Sequence, residues 1–521
     1  MSKPKTFRPW NPEQTLLLPP SPVEWLPEQH LVFFLLDLIA DLDLSAIVAV
    51  YEQRDPRGVK AYDPRMMVVL LLYAYCVGIP SSRRIERACW EDAAFRVLTG
   101  NQQPDHSRIS DFRRVHLDAL TGLFVQVLRL CQKAGLVNLG TVALDGTKIK
   151  ANASKHKAMS HKRMLKAEAQ LEEEIAALLR KAELIDAQED QRYGKSKRGD
   201  ELPKELRRRQ DRIQVLRKAK AELEAEAAAD HARERERKAR CAERQAAEAQ
   251  ASANEATAQA DAAAEAEAAK IRANAARRAR AARQRAEAAK ALALQKAEAA
   301  GQPIPDLEPQ IDPQAMPSRN LPTNAAGEVK GKAQRNFTDP DSHILKGGDG
   351  WIQGYNCQMA VDGAHQVIVA VGISNQASDT PHLLPMLERI LSNTGQLPDK
   401  LLADAGYCST DTIEGCEQRQ LDAYISTGRQ RHGKRPRPSR GPAPRDLDAR
   451  GRMDRKIRSK AGQAIYALRK IIAEPVFGQI KAARGLDRFL LRGTEKTFGE
   501  LNLMAITHNL LKLHRAALNP A

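Results

Sequence analysis

The chain has 521 residues, in which 82 lysines and arginines outnumber 65 acidic residues and give a formal charge of +17. This length predicts more than one domain with a sizeable core, and the charge indicates nucleic acid or an acidic membrane surface as a partner, unless the protein is simply basic. Seven scattered cysteines without a CxxC pair argue against a zinc module and a disulfide framework. The first residues lack a signal-peptide core and no apolar run is long enough to span a bilayer, so we expect a cytoplasmic protein without a membrane partner.

Residues 1–135 are predicted to form an all-α N-terminal domain, because apolar residues recur there at helical spacing. Asp63 and Pro64 are a typical N-cap and first helical residue, and the glycine and proline at positions 78 and 80 end that helix. A further helix is expected to begin at the serines 81–82 and to end at Gly100.

A short basic segment in this domain is the candidate DNA contact. Ser107 is expected to cap a helix that carries Arg108, Arg113 and Arg114, followed by His116. A short basic helix after other helices resembles the recognition element of a helix-turn-helix domain. An ordinary cationic surface helix explains the pattern equally well, because such signals are weak in one sequence.

Residues 136–157 contain an apolar run that ends at Asp145 and Gly146, with Lys148 and Lys150 directly after it. This pattern predicts a buried strand that ends at a lone carboxylate surrounded by cations. Residues 158–300 then change to a composition rich in alanine, glutamate and arginine. Leucines near heptad spacing predict a helical hairpin or coiled coil, followed by a long solvated helix whose arginines are either DNA contacts or, as we favour, part of a solvated charged face.

Residues 301–333 are rich in proline and are predicted to form an extended linker. Patterns typical of strands return in residues 334–521. Asp362 and Gly363 predict a hairpin turn, and Gly395 is expected to end an amphipathic helix. A strand ending at Asp404 and one more strand follow. The basic loop over residues 429–460 is either a solvated linker or a segment that orders on phosphates, and it leads to a final helical region.

Three acids in this order indicate a metal site. Asp145 and Asp404 each end an apolar run with a glycine one or two residues later, and ligands bind at the carboxyl ends of strands in α/β sheets. Glu474 lies in a late helix that is able to cross the sheet. Three converging carboxylates repel one another and need a compensating charge, and oxygen ligands suit Mg²⁺ or Mn²⁺. Two such ions would activate one oxygen and stabilise another in phosphodiester chemistry, and Lys148 and Lys150 are then predicted phosphate clamps.

Four sequence blocks together resemble bacterial insertion-sequence transposases of the DDE class. The blocks are ALDGTKIKANAS, GYNCQMAVD, LLADAGYCS and EPVFGQIKAARGLDRFLLRGTEK. The resemblance implies an α/β RNase H-like core, a mixed sheet with helices, over residues 136–157 and 334–521. It also implies that Asp145, Asp404 and Glu474 are the first, second and third catalytic acids and the metal ligands.

Relatives in one branch mark the third acid with a Tyr…Arg…Glu…Lys signature, which Tyr466, Arg469, Glu474 and Lys481 resemble. Arg469 stands one residue further from the glutamate than in that branch, and Lys470 has the expected spacing, so both remain candidates for the DNA-gripping cation. Spacing places Lys470, Glu474 and Lys481 on one helical stripe.

Two features depart from simple expectation. Pro475 is expected to kink or restart the helix at the third acid. The helical insertion interrupts the core after its first strand, whereas better-known relatives carry their main insertion just before the glutamate.

The implied function is a transposase that binds the terminal inverted repeats of its element and performs Mg²⁺-dependent strand cleavage and transfer. Its partners are double-stranded DNA, as element ends and target, and further copies of itself in a dimer or larger assembly. Such a protein resides in the bacterial cytoplasm and joins the nucleoid when bound to DNA. The alternatives are an RNase H-like structure-specific nuclease and a DNA-bridging coiled-coil protein with an inactive core.

Overall fold

The computed structural model describes residues 21–52, 61–193, 204–261, 314–348, 350–428 and 447–518. Within these ranges, contacts form two compact units, which we describe separately. The core unit holds the residues up to 152, the short segment 314–317 and the residues from 344 onward. The insertion unit holds the described residues between 153 and 261 and those from 318 to 343.

Helices make up the N-terminal part of the core unit, as predicted. They are α1 (Leu31–Asp41), α2 (Ser45–Glu52), α3 (Pro64–Cys76), α4 (Ser82–Glu91), α5 (Ala93–Leu98), α6 (His106–Val115) and α7 (Leu117–Lys133). Asp63 caps α3 by accepting from the Arg65 backbone N–H, which confirms the predicted start of that helix. Every residue from Met67 to Cys76 is buried, so α3 is the central helix of this part.

Two predicted helix boundaries in this part were wrong. The single helix expected to run to Gly100 is divided into α4 and α5, because Asp92 accepts from the backbone N–H groups of Ala94 and Phe95 and caps a new helix. The basic helix α6 is capped by Asp105 and not by Ser107. Asp105 Oδ1 accepts from the Ser107 and Arg108 N–H groups, each at 3.0 Å, and aspartate is at least as good a cap as serine.

The first strand, β1 (Thr141–Lys150), continues beyond Asp145, where the sequence predicted its end. It continues because a long strand from the later part of the chain pairs with it throughout, from Val142↔Asp362 to Lys150↔Gly354. Asp145 therefore lies in the middle of a strand and not at its tip.

The insertion unit contains β2 (Ala158–Ser160), α8 (His161–Tyr193), α9 (Lys204–Asp261) and β3 (Gln334–Asn336). The ion pairs Glu174–Arg209 and Glu168–Lys220 run in opposite directions along the two helices, so α8 and α9 pack antiparallel. Their apolar core is formed by buried residues of both helices and of the returning chain: Met164, Leu171, Ile213, Leu216, Leu223, Ala227, Leu321 and Ala333. Parts of three predicted segments lie outside the described residues: 262–300 of the helix, 301–313 of the linker predicted over 301–333, and 429–446 of the basic loop predicted over 429–460. The described part of the linker is not extended chain, because Leu321 and Ala333 pack in the insertion core. The described end of the basic loop is a helix, Ala449–Arg458.

A mixed sheet forms the centre of the core unit, as the sequence predicted. Its later strands are β4 (His343–Gly347), β5 (Gly350–Asp362), β6 (Ile368–Ser374), β7 (Lys400–Ala403) and β8 (Asp422–Ile425). The strand order is β4-β5-β1-β7-β8, and β6 also pairs with β5. β5 is antiparallel to both β1 and β6, whereas β7 is parallel to β1 and to β8.

Helices cover this sheet. They are α10 (Leu383–Thr394), α11 (Thr410–Gln418), α12 (Ala449–Arg458), α13 (Lys460–Phe477) and α14 (Thr494–Leu518). α10 and α14 pack on β6, and α13 packs across β1. Gly395 ends α10 with a left-handed backbone (φ 83°), as predicted. Among the described residues, no helix combines the length and the apolar character needed to cross a membrane.

α13 runs through Pro475, so the predicted restart of the helix at this residue was wrong. The helix includes Pro475 in its last turn and continues into a π-helical segment, Gly478–Ala483. A proline cannot donate to the carbonyl four residues earlier. That carbonyl, on Ile471, instead accepts from the side-chain amide of Gln366 at 2.8 Å, so the missing helical bond is replaced.

Candidate active site

Asp145 and Asp404 are neighbours because of the strand register. In the parallel pair β1–β7, Leu144 lies opposite Ala403, and each is followed directly by an aspartate. Asp145 Oδ1 accepts from the Gly146 N–H at 2.9 Å. Asp404 Oδ1 accepts from the Gly406 N–H at 2.8 Å and begins a short 3-10 turn.

The pKa of Asp145 depends on its burial and on the charges of two neighbouring residues. Burial raises the pKa of Asp145 to about 6, Arg469 opposes the rise and the negative charge of Asp404 adds to it. The side chain of Asp145 is only 15% exposed. A carboxylate pair of this kind favours a bound cation or a proton, since each negative charge disfavours the other.

Arg469 supplies the compensating charge in this structure. Its Nη1 donates to Asp145 Oδ2 at 2.8 Å, and its Nη2 lies 4.0 Å from Glu474 Oε1. The guanidinium is 13% exposed, and Tyr466 lies beside it. Lys470, the alternative cation, is exposed. The geometry therefore favours Arg469 as the cation that contacts the acids.

Glu474 lies at the rim of this group. It is on α13, five residues after Arg469, and its side chain is 57% exposed. Five residues correspond to well over a full turn of an α-helix, so the two side chains project from different faces. Arg469 lies between Glu474 and Asp145 and contacts both. The strands β1 and β7 position Asp145 and Asp404 directly.

The predicted phosphate-binding lysines lie along the second half of β1. Lys148 Nζ is 3.2 Å from Asp379 Oδ1, and Lys150 Nζ is 2.7 Å from Asp487 Oδ2. Lys481, in the π-helical segment, donates to Thr147 Oγ1 and to the Lys148 carbonyl, both at 3.2 Å. The two lysines of β1 share one strand with Asp145, and all three cations are already engaged with acids or with neutral oxygen acceptors.

Asp379 is a fourth acid that the sequence did not reveal. Its Oδ1 accepts from Asn356 Nδ2 at 2.6 Å and from Gln358 Nε2 at 2.9 Å, in addition to Lys148. The Tyr407 hydroxyl in turn donates to Gln358 Oε1. The only signal was the Ser-Asp-Thr-Pro sequence at 378–381, which is typical of an ordinary helix start.

Two glycines leave room for Asp379 next to the acid pair. A Cβ on Gly146 would lie 3.0 Å from Asp379 Oδ1, and one on Gly406 would lie 3.3 Å from Asp379 Oδ2. Asp379 therefore lies between the glycine that follows Asp145 and the glycine that follows Asp404. Burial raises the pKa of Tyr407 well above its usual value, and the charges of Asp379, Asp145 and Asp404 add to that rise.

The donor set fits a hard divalent cation in its chemistry. Asp145 and Asp404 offer oxygen ligands only, which suits a hard divalent cation. Burial raises the pKa of Asp145, and the charge of Asp404 adds to that rise. Within the described residues, no three histidine, cysteine, aspartate or glutamate side chains are already grouped around one point as metal ligands. Arg469 occupies the open side of Asp145 instead.

The predicted arginines of the N-terminal domain have different surroundings. Arg113 is only 3% exposed, and its Nη1 donates to Tyr75 Oη at 3.0 Å and to the Pro80 carbonyl at 2.9 Å. The prediction that Arg113 contacts DNA was wrong, because the guanidinium is part of the interior. Arg108 and Arg114 are exposed, although Arg114 also contacts Asp111 at 3.1 Å.

Two family models match parts of the chain. Residues 329–510 match the family model of the transposase DDE domain, which includes Asp404 and Glu474. Residues 21–115 match the model described as transposase domain (DUF772), which includes α1 to α6. No curated protein and no solved structure matches the chain. Because two transposase domains in this order cover more than half of the chain, it belongs to the insertion-sequence transposases of the DDE class.

Proposed function

We propose that this transposase binds the terminal inverted repeats of its element and catalyses Mg²⁺-dependent strand cleavage and strand transfer. The observation that carries the proposal is the β1–β7 register, which sets Asp145 and Asp404 side by side under Arg469. The strand arrangement supports an RNase H-like core, since three antiparallel strands, β6-β5-β1, are followed by the parallel β7 and β8.

Asp145 and Asp404, with Glu474 as the third ligand, would hold Mg²⁺ or Mn²⁺, two ions in the active state. When bound, such ions activate the attacking oxygen of water or of a DNA 3′-hydroxyl and stabilise the leaving oxygen. Arg469 keeps Asp145 neutralised before DNA is bound. Lys148, Lys150, Lys481 and Tyr466 line the approach to the acids in this proposal, where Lys and Arg side chains contact phosphates.

The domains have separate roles in this proposal. Residues 1–135 bind DNA, through Arg108 and Arg114 among others, and residues 136–157 with 334–521 form the catalytic domain. The proposed coiled-coil insertion spans residues 158–300, and residues 318–333 of the predicted 301–333 linker pack with it. Cleavage and joining at two element ends require two active sites, so we infer a dimer or larger assembly on DNA in the bacterial cytoplasm and nucleoid.

A cleavage and joining assay on labelled DNA that carries the repeats flanking the gene tests this function, with Mg²⁺ or Ca²⁺. We expect cuts at the repeat tips in Mg²⁺, followed by joining to a second DNA. We expect cutting to fall by at least about 10³-fold in each of three variants: Asp145→Asn, Asp404→Asn and Glu474→Gln. Loss of a metal ligand removes several kcal/mol of transition-state stabilisation, whereas binding to the element ends should stay near that of the wild type.

Asp399→Asn is the matched control, because Asp399 is an exposed aspartate just before β7, the strand that Asp404 follows. It should cut as the wild type does. Cutting without joining would instead indicate a structure-specific nuclease. Binding without cutting in either metal would indicate a DNA-bridging protein with an inactive core.

A further inference from the structure

The base of the insertion unit carries a concentrated positive surface, which we call the basal patch. Three separate segments contribute to it: the stretch before β2, the first turns of α8 and the turn before β3. Its members are Lys155, Lys157, Lys162, Arg163, Lys166, Lys330 and Lys332, and all seven are exposed.

Backbone hydrogen bonds hold the three segments together. The Lys162 N–H donates to the Gly331 carbonyl at 3.1 Å, and the His161 N–H donates to the Ala333 carbonyl at 2.8 Å. The Phe337 N–H donates to the Lys157 carbonyl at 3.1 Å, next to the paired strands β2 and β3. The chain path that carries these cations is therefore fixed and does not depend on a ligand.

The apolar core of the insertion unit supports this surface from below. Met164, between Arg163 and Lys166 in sequence, is fully buried and packs in the cluster that contains Leu321 and Ala333. The first turns of α8 thus present their cations outward while their apolar face is packed. Binding at such a preorganised surface does not have to order the backbone first.

The basal patch has no acidic residues within it. Residues 153–167 and 329–338 contain no aspartate or glutamate. The acids that reach these segments are already engaged. Glu168 contacts Lys220 at 2.6 Å, and Glu328 accepts from Asn324 at 2.8 Å. From α9, Glu224 contacts His161 at 3.0 Å, and Glu222 and Glu226 contact Arg335, both at 2.8 Å. In the described part of the chain, none of the seven cations forms an ion pair.

The body of the helical hairpin differs, because acids are interspersed among its cations. Many of these cations are neutralised in place, for example Arg209 by Glu174, Arg217 by Glu168 and Arg237 by Glu234. Paired charges of this kind are typical of a solvated helix surface. The segments of the basal patch contain no acid, and the α9 glutamates that reach them contact His161 and Arg335 instead of the seven exposed cations. The explanation of a solvated, mixed-charge helix therefore does not apply to these seven.

We propose that the basal patch binds the phosphate backbone of duplex DNA without reading its sequence; this rests on the proposed function, which makes DNA the substrate. Six of the seven cations are lysines, which contact phosphates as point charges, whereas base-edge reading typically uses the planar fork of arginine. Residues 153–167 and 329–333 contain no phenylalanine, tyrosine or tryptophan on which unpaired bases stack, so a duplex fits better than a single strand.

The test compares two full-length variants that lose the same charge. The patch variant carries Lys162→Gln, Arg163→Gln, Lys330→Gln and Lys332→Gln. The control variant carries Arg207→Gln, Arg208→Gln, Arg212→Gln and Lys218→Gln, at exposed positions of α9. The Kd for a random-sequence duplex is measured across a salt series. We expect the slope of log K against log salt to fall by about 0.9 for each phosphate that the patch variant no longer neutralises, and to stay near the wild-type value in the control.

Equal weakening of both variants would overturn the proposal, because net charge alone would then explain binding. Unchanged duplex binding by the patch variant would also overturn the proposal. So would a patch variant that no longer binds phosphatidylserine vesicles but still binds duplex DNA as the wild type does. Thermal melting checks that both variants are folded. If the wild type fails to cut repeat DNA while the patch variant loses duplex binding, the catalytic proposal fails and this one stands. If the wild type cuts repeat DNA and the patch variant binds the duplex normally, the catalytic proposal stands and the basal-patch proposal fails.

Discussion

At the scale of single residues, the register of β1 and β7 brings Asp145 and Asp404 together, whereas Asp379 reaches them from the loop after β6. Asp145 and Asp404 share a local pattern, an apolar run and a nearby glycine, that can be recognised in sequence. Asp379 has no such pattern, because its importance depends on the loop after β6 approaching two other strands. The sequence left Arg469 and Lys470 as alternatives, and the buried face of α13, with Ile472 and Ala473, turns Arg469 inward.

Asp379→Asn tests the role of the fourth acid as a positioning residue. An asparagine can still accept from Asn356 and Gln358 with its one oxygen, but it removes the charge that pairs with Lys148 and places an NH2 donor beside the acid pair. We expect cleavage of repeat DNA to fall by about 10–100-fold and the Mg²⁺ concentration for half-maximal rate to change, while the melting temperature stays close to that of the wild type. Ser378→Ala, at the exposed neighbouring position, is the control. A wild-type rate in the Asp379 variant would contradict this role.

At the scale of elements, strand and helix types followed the sequence, and the errors arose where a distant partner decided the outcome. The end of α10 at Gly395 depends on a local backbone preference and was predicted. The predicted hairpin after Asp362 also forms, but its left-handed residue is Gln366 (φ 60°), and Gly363 is needed because a Cβ there would lie 2.9 Å from the Thr141 carbonyl oxygen. The continuation of α13 through Pro475 depends on Gln366, which lies more than a hundred residues earlier. The length of β1 depends on β5, which follows the whole insertion. No local pattern indicates either partner.

Two glycines at the ends of α13 give opposite predictions for the same substitution. A Cβ on Gly462 would overlap the Lys456 carbonyl of α12, whereas a Cβ on Gly478 meets nothing within 4 Å. Gly462→Ala should therefore lower the free energy of unfolding by about 1–3 kcal/mol, because backbone must move. Gly478→Ala should raise it by about 0.5–1 kcal/mol, since alanine is the better helix former. Urea denaturation of both variants measures the difference, and a destabilised Gly478 variant with an unaffected Gly462 variant would contradict it.

At the scale of the whole molecule, the N-terminal helices and the sheet share one packed unit, which composition and motifs did not indicate. α14 packs on α3, α7 and β6. A buried polar network lies in this packing: the Tyr75 hydroxyl donates to Glu500 Oε1 at 3.1 Å and accepts from Arg113. Glu500 also accepts from the Leu490 and Leu491 N–H groups. Burial raises the pKa of Glu500, and Arg113 opposes that rise.

Removing Arg113 should therefore weaken the whole unit. Arg113→Met leaves Glu500 buried without the nearby positive charge. Removing one partner of a buried charge pair typically lowers the free energy of unfolding by about 3–5 kcal/mol. The double variant Arg113→Met with Glu500→Gln should recover part of this loss, because the uncompensated charge is gone. Urea unfolding of the two single variants and the double variant measures the coupling. Arg114→Met, exposed on the same helix, should stay within about 0.5 kcal/mol of the wild type. Strictly additive effects in the double variant would contradict the coupling.

The small sheet of β2 and β3 has a consequence for how the chain folds. β1 must pair with β5 across about 200 intervening residues, and the entropy lost on closing a loop grows with the logarithm of its length. Once Ala158 pairs with Asn336, only about 24 residues remain between the last paired residues of β1 and β5, which lowers that entropic cost by about 2 kcal/mol. In a folding order in which the insertion forms first, its β2–β3 pair therefore brings β1 and β5 close together before they pair.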